Sequence, residues 1–391
     1  VYKRQALVFN TIFATFLPRL VSLSEDNAVT EEQRLRVYYG LELAGFMAGF
    51  LIVAISWNRP FVWLLGPYWL ILGVVLYLTL GRKLLTGAYA VLAAAAVILL
   101  HDVDYNSTAW LYAEKHHIKG ARTLYSVNSP YQKVEVIERQ GGKRYLYLDG
   151  LENLNSTDLE SLNYYIAKIP AELLKPQKTL LIGNGTLSSV PKVYPHSGHV
   201  TSVELDGGVL EAGRRFFTRP ETLEGLENWE LHVDDGKHFL RATQDMYDLV
   251  VVDVPSPLTI QEAYLHSLEF YALVKTRLTG RGVIAVQLSG PLQKNNRTPA
   301  RVTAALQQVF PQVLVIHSKR ADRGFAYASR ELTFTGADID RLSKNYESKL
   351  KIISPEQVPG YLERAEPLAV DSMDLVVRLG WERFTNRYFD D

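Results

Sequence analysis

The chain has 391 residues, with 42 basic and 42 acidic side chains and no cysteine. This length is compatible with two domains. A net charge of zero argues against nucleic acid as the main partner, and the lack of cysteine excludes disulfide bonds and thiolate metal sites. Apolar residues make up 47% of the chain and are concentrated between residues 41 and 100.

The chain begins at Val1, without an initiator methionine. We expect residues 1–5 to be an assembly artefact and the natural protein to continue upstream, so these residues are left out of the fold prediction. Residues 6–23 are a weaker apolar stretch that contains Pro18 and Arg19, and residues 26–36 are charged.

Three apolar stretches follow, at 41–57, 61–80 and 84–100. A bilayer core takes about 17 to 25 residues per helix, and the short polar links and nearby aromatic side chains are typical of membrane hairpins. We therefore expect residues 1–101 to be a transmembrane helical segment of about three spans. The alternative is a buried helical core in a soluble protein.

A polar linker is expected at 102–125. It contains His116 and His117, but no third side chain at metal-ligand spacing, so we expect no metal site. A β-hairpin is predicted from strands at 132–137 and 143–148, and Thr157 with Glu160 predicts a capping box that opens a helix over 158–168. These elements form a small region at 126–175.

Strands and helices alternate from residue 176 onward, which predicts a parallel sheet covered on both faces. Strands are predicted at 179–182, 199–204, 229–233, 249–254, 282–287, 312–317 and 325–334. Helices are predicted near 187–194, 207–217, 236–242, 261–278, 299–308 and 338–350. The short link between the last two strands predicts an antiparallel hairpin at one edge. The fold class is therefore α/β, a Rossmann-like, seven-stranded doubly wound sheet over 176–350, which is the architecture of class I S-adenosylmethionine-dependent transferases. A tail, 351–391, contains a predicted helix at 371–384.

Candidate site residues follow the predicted strands. Gly183-Asn184-Gly185 follows the first strand, and two later strands end in Glu204 and Asp253. Glycines let a backbone approach a ligand closely, and an acid about 20 residues further on can accept hydrogen bonds from a ribose. Ligands of such sheets bind at the carboxyl ends of the strands, where Asp235 also falls.

Seven stretches, in order, carry a resemblance: SPYQKVEV, YLYLDG, LLIGNGT, VELDGGVLEAGRRFF, HVDDGKHFL, YDLVVVDVPSP and YLHSLEFYALVKTRLTGRGVIAVQLSG. Together they resemble the spermidine synthase family of polyamine aminopropyltransferases, and in particular its membrane-anchored branch. The resemblance spans residues 129–329.

The resemblance implies a donor, decarboxylated S-adenosylmethionine, and an amine acceptor whose proton must be removed by a carboxylate. It implies that Asp253 is this base, that Glu204 holds the ribose and that Asp235 with Gly236 contacts the adenine. Gln132 would lie against the nucleoside, and Gly183 with Gly185 would let the loop approach the donor. The alternative for Asp253 is a strand-end acid held by helix amides. The alternative for Gln132 is a plain strand residue.

Several positions depart from the family. The carboxylate of the family's glycine loop is Thr186 here, and the second acid of its Asp-x-x-Asp-Pro motif is Ser256. The glutamine after the Leu-Asp-Gly turn is Asn153, the family's Asp-Glu pair is Asp158-Leu159, and its Tyr-His pair falls on Leu162-Asn163. Because the lost carboxylates would pair with a diamine, we expect weaker binding of a dication.

Three functions stay open at this point: an aminopropyltransferase-like enzyme, another S-adenosylmethionine-dependent transferase such as a methyltransferase, and a nucleoside-binding pseudoenzyme with a sensor or scaffold role. We expect no tightly bound cofactor, with decarboxylated S-adenosylmethionine or S-adenosylmethionine as cosubstrate. The expected partners are a small amine, the lipid bilayer and, by resemblance, a second copy in a homodimer. A bacterial inner-membrane protein whose soluble part faces the cytoplasm is expected, because a nucleoside cosubstrate is a cytosolic metabolite.

Overall fold

The computed structural model describes residues 31–55, 69, 73, 83–254, 257, 260–294, 297–372, 374, 376–377 and 381. The chain divides into two compact units, Val1–His101 and Asp102–Asp391. Helix α1 (Glu31–Ile55) lies in the first unit, and helix α2 (Lys83–Lys115) begins in the first unit and ends in the second.

Large apolar side chains on the first unit's helices are exposed. Phe46 and Phe50 on α1, and Val91, Leu92 and Ile98 on α2, are each 67% to 77% exposed. Within the described ranges, however, no helix combines the length and the hydropathy that a bilayer span needs. The predicted transmembrane segment is therefore not supported by these residues, and almost all of its middle stretch, 61–80, lies outside them.

The second unit begins with a four-stranded antiparallel sheet, ordered β1-β2-β3-β4. The strands are β1 (Arg122–Asn128), β2 (Lys133–Glu138), β3 (Arg144–Leu148) and β4 (Leu151–Asn155). The predicted hairpin corresponds to β2 and β3, in which Val136 lies opposite Leu146.

Residues 102–125, predicted as a linker, contain the end of α2 and most of β1. Tyr112 on α2 is buried and donates a hydrogen bond to the Glu135 carboxylate at 2.6 Å. The Thr123 hydroxyl on β1 donates to the backbone oxygen of Tyr105 at 2.8 Å. Side-chain hydrogen bonds therefore attach this polar stretch to the sheet. Such contacts produce no periodic pattern of apolar residues, so the sequence did not predict them.

A continuous helical segment runs from Leu159 to Leu174 as α3 (Leu159–Asn163), a π-helical turn (Tyr164–Lys168) and α4 (Ile169–Leu174). The capping box predicted here is wrong, because Asp158 occupies the N-cap position and no side chain caps the helix. The Asn155 side-chain oxygen instead accepts hydrogen bonds from the backbone amides of Thr157 and Asp158, at 3.2 Å each.

The described residues form a large sheet of eight strands, ordered β12-β10-β11-β9-β8-β5-β6-β7. Its strands are β5 (Lys178–Ile182), β6 (His199–Glu204), β7 (Trp229–Val233), β8 (Tyr247–Val252), β9 (Leu278–Gln287), β10 (Gln312–Ser318), β11 (Arg323–Ser329) and β12 (Lys351–Ile353). Strands β5 to β9 are mutually parallel, and β10, β11 and β12 pair antiparallel. The prediction of seven strands was short by one, because β12 comes from the predicted tail and pairs with β10.

Helices cover this sheet: α5 (Val190–Val193), α6 (Gly207–Phe216), α7 (Gly236–Ala242), α8 (Ile260–Tyr264), α9 (Leu268–Lys275), α10 (Arg297–Val309), α11 (Gly336–Ser343) and α12 (Val358–Leu362). The helix predicted at 187–194 is reduced to α5 and a 3₁₀ turn (Tyr194–His196), because Leu187 has a φ of +57° that no helix accommodates. Of the helix predicted at 371–384, residues 371–372, 374, 376–377 and 381 lie within the described ranges. Residues 371–372 are not helical, and the other four are.

Both faces of the central strands are buried. On β8, Val250 and Val252 pack into the apolar core on one side of the sheet, while Leu249 and Val251 pack into the core on the other side. A fully buried valine or leucine contributes about 1.5–3 kcal/mol. Such continuous apolar strands leave polar side chains only at their ends, which is where the functional site forms.

Candidate active site

A cavity of about 230 Å³ opens at the carboxyl ends of the parallel strands. Every residue predicted for the site lines it: Gln132, Gly183, Gly185, Glu204, Asp235, Gly236 and Asp253. Six residues lie along this edge in the order of the strands: Asp235, Glu204, Gly183, Asp253, Gln287 and Arg323. The first five end or follow their strands, and Arg323 begins the antiparallel strand β11. The structure thus brings the predicted residues together, and their individual roles stay predictions.

The glycine loop after β5 packs tightly against its own protein. A Cβ atom on Gly183, which has a φ of +79°, would lie 2.5 Å from Val254 Cγ1 and 2.8 Å from the Asp253 carbonyl oxygen. A Cβ on Gly185 would contact the Val209 side chain and lie 3.1 Å from Glu204 Oε2. Protein packing alone therefore requires both glycines, whereas the sequence interpretation attributed them to ligand approach.

Glu204 ends β6 and is 9% exposed. Its Oε1 atom accepts a hydrogen bond from the backbone amide of Asp206 at 3.0 Å. Burial raises the pKa of the Glu204 carboxyl to about 7, and the backbone hydrogen bond from Asp206 opposes this rise. The nearby carboxylates of Asp206 and, to a smaller extent, Asp253 also raise it.

Asp253 follows β8, and its backbone amide donates to the Ile182 carbonyl at 2.9 Å. This bond continues the β5–β8 pairing by one residue and fixes the Asp253 backbone beside the glycine loop. Burial raises the pKa of the Asp253 carboxyl to about 6, and the Arg323 guanidinium lowers it in part. A carboxyl whose pKa lies near 6 can exchange a proton near neutral pH.

Asp235 caps helix α7. Its Oδ1 atom accepts from the Lys237 backbone amide at 2.8 Å, and its Oδ2 atom lies 3.4 Å from Lys237 Nζ. The Lys237 ammonium also lies over the Tyr264 ring, 4.3 Å from its centroid. Gly236 packs on the sheet, since a Cβ there would lie 2.8 Å from Ile182 Cγ2. Asp235 therefore has a structural role as a cap, in addition to the predicted contact with adenine.

Gln132 connects the small sheet to the large one. Its Nε2 atom donates to Asp206 Oδ2 at 3.0 Å, and the Ser129 hydroxyl donates to the same oxygen at 2.7 Å. Asp206 Oδ1 accepts from the Gly208 backbone amide at 2.8 Å and so caps α6. The amide of Gln132 thus has a protein partner, beside the predicted contact with the nucleoside.

Several polar lining residues were missed from the sequence, among them Asp206, Lys237, Gln287 and Arg323. The strand-end rule that found Glu204 applies equally to Gln287, the last residue of β9. Arg323 begins β11, and only the antiparallel direction of that strand brings its first residue to this edge. The short link before β11 predicts this direction, but Arg323 lay in that link rather than in the predicted strand, so it was not selected as a site residue.

Comparisons with a protein family, with related sequences and with a solved structure bear on the identity of this site. Residues 160–318 match the spermine/spermidine synthase domain family. The polyamine aminopropyltransferase of Moorella thermoacetica is 30% identical over 195 residues, which cover 49% of this chain and 68% of the relative. The chain belongs to the spermidine synthase family.

Another relative in the spermidine synthase family, the polyamine aminopropyltransferase of Lachnospira eligens, is 29% identical over 192 residues, or 48% of this chain and 66% of the relative. The chain thus spans about two thirds of the length of both relatives. A crystal structure of spermidine synthase in complex with the transition-state analogue AdoDATO has the same fold, with a TM-score of 0.51 and 22% identity. That match covers 62% of this chain and 85% of the other.

Thr186 stands where the spermidine synthase family's glycine loop has a carboxylate. It is 4% exposed and lines the cavity, and its hydroxyl lies 2.6 Å from the Ser188 hydroxyl. Asn163 extends this network, because its Nδ2 atom donates to Ser188 Oγ and its Oδ1 atom accepts from Ser189 Oγ, both at 2.8 Å. Two departures from the family, at Thr186 and Asn163, are therefore parts of one buried, uncharged hydrogen-bond network.

A second cavity, of about 200 Å³, adjoins the first and shares with it the lining residues Asn153, Leu154, Leu162 and Arg323. It is also lined by Glu152 and Asp158, whose carboxylates accept hydrogen bonds from Asn155 Nδ2 at 3.0 and 2.8 Å. Leu159, at the second position of the family's Asp-Glu pair, lines it too. The remaining departure, Ser256, lies outside the described residues.

Proposed function

We propose that this chain transfers an aminopropyl group from decarboxylated S-adenosylmethionine to an amine. One observation carries the proposal: Glu204 and Asp253, from the ends of the strands on either side of β5, line one cavity as desolvated carboxyls with raised pKa values. Membership of the spermidine synthase family supports the same reaction, because the relatives it matches are polyamine aminopropyltransferases.

The donor would lie along the edge of the sheet with its adenosine toward Glu204 and Asp235. In this arrangement Glu204 accepts hydrogen bonds from the ribose hydroxyls, and Asp235 with Gly236 contacts the adenine. Gly183 and Gly185 form the loop beside the sulfonium. The separation of Glu204 from Asp253 by strand β5 supports this arrangement, because it leaves the space between the two acids for the reacting carbon.

The acceptor amine must be uncharged when it attacks, since an ammonium group has no free electron pair. Its nitrogen forms a bond with the aminopropyl carbon next to sulfur, the carbon–sulfur bond breaks, and the electron pair leaves with methylthioadenosine. The proton released from nitrogen passes to the Asp253 carboxylate. A pKa of about 6 keeps this carboxyl mostly ionised at pH 7 to 8 and still basic enough to accept that proton.

The test is incubation of the purified full chain with decarboxylated S-adenosylmethionine and a panel of mono- and diamines, with methylthioadenosine and the alkylated amine measured together. We expect both products in equal amounts. Methyl transfer from S-adenosylmethionine, with no aminopropyl product, would assign the chain to the methyltransferase alternative. Tight binding of methylthioadenosine without turnover of any amine would support the pseudoenzyme alternative.

We also propose that the first unit attaches the enzyme to a bilayer, at the bacterial inner membrane with the catalytic unit on the cytoplasmic side. The proposal rests on the apolar composition of residues 41–100 and on the exposed apolar side chains of α1 and α2. Membrane fractionation, followed by extraction with carbonate and then with detergent, tests it: release by carbonate alone would exclude integration. A homodimer, which the family resemblance implies, stays a prediction for sedimentation analysis of the detergent-solubilised chain.

A further inference from the structure

A guanidinium group lines the cavity on the side of Asp253 away from Glu204. Arg323 begins β11, which pairs with β9, and β9 pairs with β8, the strand that Asp253 follows. Glu204 lies on the other side, beyond β5. If adenosine occupies the Glu204 end, Arg323 faces the end where the acceptor must bind.

The Arg323 side chain is held in place by Gln287. Its Nη1 atom donates to Gln287 Oε1 at 2.7 Å, and Gln287 Nε2 donates to the Val254 carbonyl oxygen at 2.5 Å. Gln287 is 4% exposed, so this connection between the guanidinium and the residue after Asp253 is shielded from solvent. Among the described residues, no carboxylate lies within ion-pair distance of Arg323.

The Arg323 guanidinium itself disfavours an ammonium group placed beside it. Asn153, which lines both cavities with Arg323, is uncharged. Asp149 and Glu262 line the cavity as well. The Asp149 carboxylate accepts a hydrogen bond from the Lys133 backbone amide at 2.8 Å. An ammonium group brought beside the guanidinium meets repulsion between like charges, which is stronger in a partly closed cavity than in water.

The adjoining second cavity combines charges of both signs. Arg323, Glu152 and Asp158 all line it. A guanidinium can bind a carboxylate with two parallel hydrogen bonds, and carboxylates bind an ammonium group. An amino-acid head group carries an ammonium and a carboxylate group on the same carbon atom, so the second cavity matches it better than it matches a second ammonium group alone.

We infer that the acceptor is a diamino acid, whose terminal amine reaches Asp253 and whose carboxylate pairs with Arg323. The inference rests on the proposed aminopropyl transfer and names the acceptor class of that reaction. The terminal amine forms the new carbon–nitrogen bond, methylthioadenosine leaves, and the proton passes to Asp253. The head group stays unchanged in the second cavity.

A competing partner for Arg323 is the carboxylate of undecarboxylated S-adenosylmethionine. The sheet order argues against it, because two strands, β8 and β9, separate β11 from the glycine loop that follows β5. The donor's affinity distinguishes the two partners experimentally. If Arg323 binds the donor, its replacement weakens binding of S-adenosylmethionine in the absence of any acceptor.

The experiment uses a matched pair of acceptors, ornithine and 1,4-diaminobutane, which differ only by one carboxylate. The full chain, Arg323→Gln, Arg323→Lys and a control, Arg281→Gln, are compared by kcat/KM from methylthioadenosine release with decarboxylated S-adenosylmethionine. Arg281 is 73% exposed and pairs with Glu331 at 3.6 Å, near the amino end of β9 and away from the cavity. Calorimetry measures binding of both acceptors to the complex with methylthioadenosine, and thermal melting verifies that each variant folds.

We expect ornithine to be preferred by at least about tenfold, and Arg323→Gln to lower its kcat/KM by about ten- to hundredfold without lowering that of 1,4-diaminobutane. Arg323→Lys should fall in between, because it keeps the charge but loses the planar fork. Preference for 1,4-diaminobutane, an unchanged ratio in Arg323→Gln, or loss of donor affinity in that variant would each overturn the inference. Absence of turnover would count against the proposed function, while calorimetric preference for ornithine would still support this acceptor class.

Discussion

The two ends of the cavity differ in what holds their polar side chains. At the end where we propose that adenosine binds, backbone amides hold the carboxylates: Asp206 donates to Glu204, and Lys237 donates to Asp235. At the end proposed for the acceptor, one side chain holds another, since Gln287 positions Arg323. Groups held by backbone amides come with the strand-loop-helix geometry, whereas groups held by side chains depend on residues distant in sequence. We therefore expect the fold to constrain the positions of Glu204 and Asp235 more strongly than that of Arg323. The ligand at the Arg323 end can accordingly differ more between members of the family.

The largest effect is expected at Asp253, which lies between the two ends. Asp253→Asn keeps the shape but removes the proton acceptor, so kcat should fall by about 10²- to 10⁴-fold. Affinity for methylthioadenosine should stay within about tenfold, as calorimetry would measure. An equal loss of turnover and of nucleoside affinity would reassign Asp253 to the adenosine end.

Replacement of Glu204 tests the proposed binding of adenosine separately from that of the acceptor. Glu204→Ala should weaken binding of methylthioadenosine by about ten- to hundredfold, because it removes a charged hydrogen-bond acceptor from the ribose. The acceptor KM should hardly change. The control Glu331→Gln removes an exposed carboxylate outside the site and should bind normally. A changed acceptor KM in Glu204→Ala would mean that the two ends are coupled.

The pH dependence separates the two carboxyls. Asp253 must be ionised to accept a proton, so kcat/KM should rise as the pH passes about 6 and level off above it. Stability of the free protein should change in the opposite sense. Because burial raises the Glu204 pKa from 4.5 to about 7, its contribution to the free energy of unfolding is fully present below pH 4.5 and is lost as the pH rises through 7.

Thermal melting of the free protein between pH 5 and 8 would check this sign. Glu204→Gln cannot titrate there, so its melting temperature should vary less with pH than that of the unaltered chain. A melting temperature that rises with pH to the same extent in both proteins would contradict the assignment.

The smallest effect is expected at Gln132. Gln132→Ala removes one hydrogen bond to Asp206 but leaves that from Ser129, so it should cost about 0.5–1.5 kcal/mol of stability in urea denaturation. Ser129→Ala is the matched control, because it removes the other bond to the same oxygen. Unchanged stability together with loss of methylthioadenosine binding would mean that Gln132 contacts the nucleoside itself.

The position of two carboxylates at this edge of the sheet could be predicted from the sequence because they follow apolar strands. Glu204 and Asp253 each end such a run, and the parallel direction of their strands brings both to one edge. Arg323 could not be predicted in the same way, since its position depends on the pairing of β11 with β9. The Thr186 network was missed for a related reason: its partner Asn163 lies on a helical segment far from the loop in sequence.

The fold shows the same division. Apolar strands such as β8 were predicted closely, but β1, β4 and β12 were missed as strands. Strand β1 is held in part by polar contacts, and β12 has only three residues, too few to show a period.

Strand β12 has a practical consequence for anyone who shortens this protein. It covers the outer side of β10, whose central residues, Val313 to Ile316, are all apolar and buried. A chain cut before Lys351 would expose an unprotected row of amide and carbonyl groups flanked by apolar side chains. Such an edge recruits strands from other molecules, so we expect precipitation and swapped pairing rather than a smaller working enzyme. We therefore expect the three residues of β12 to reduce self-association by covering the edge of β10.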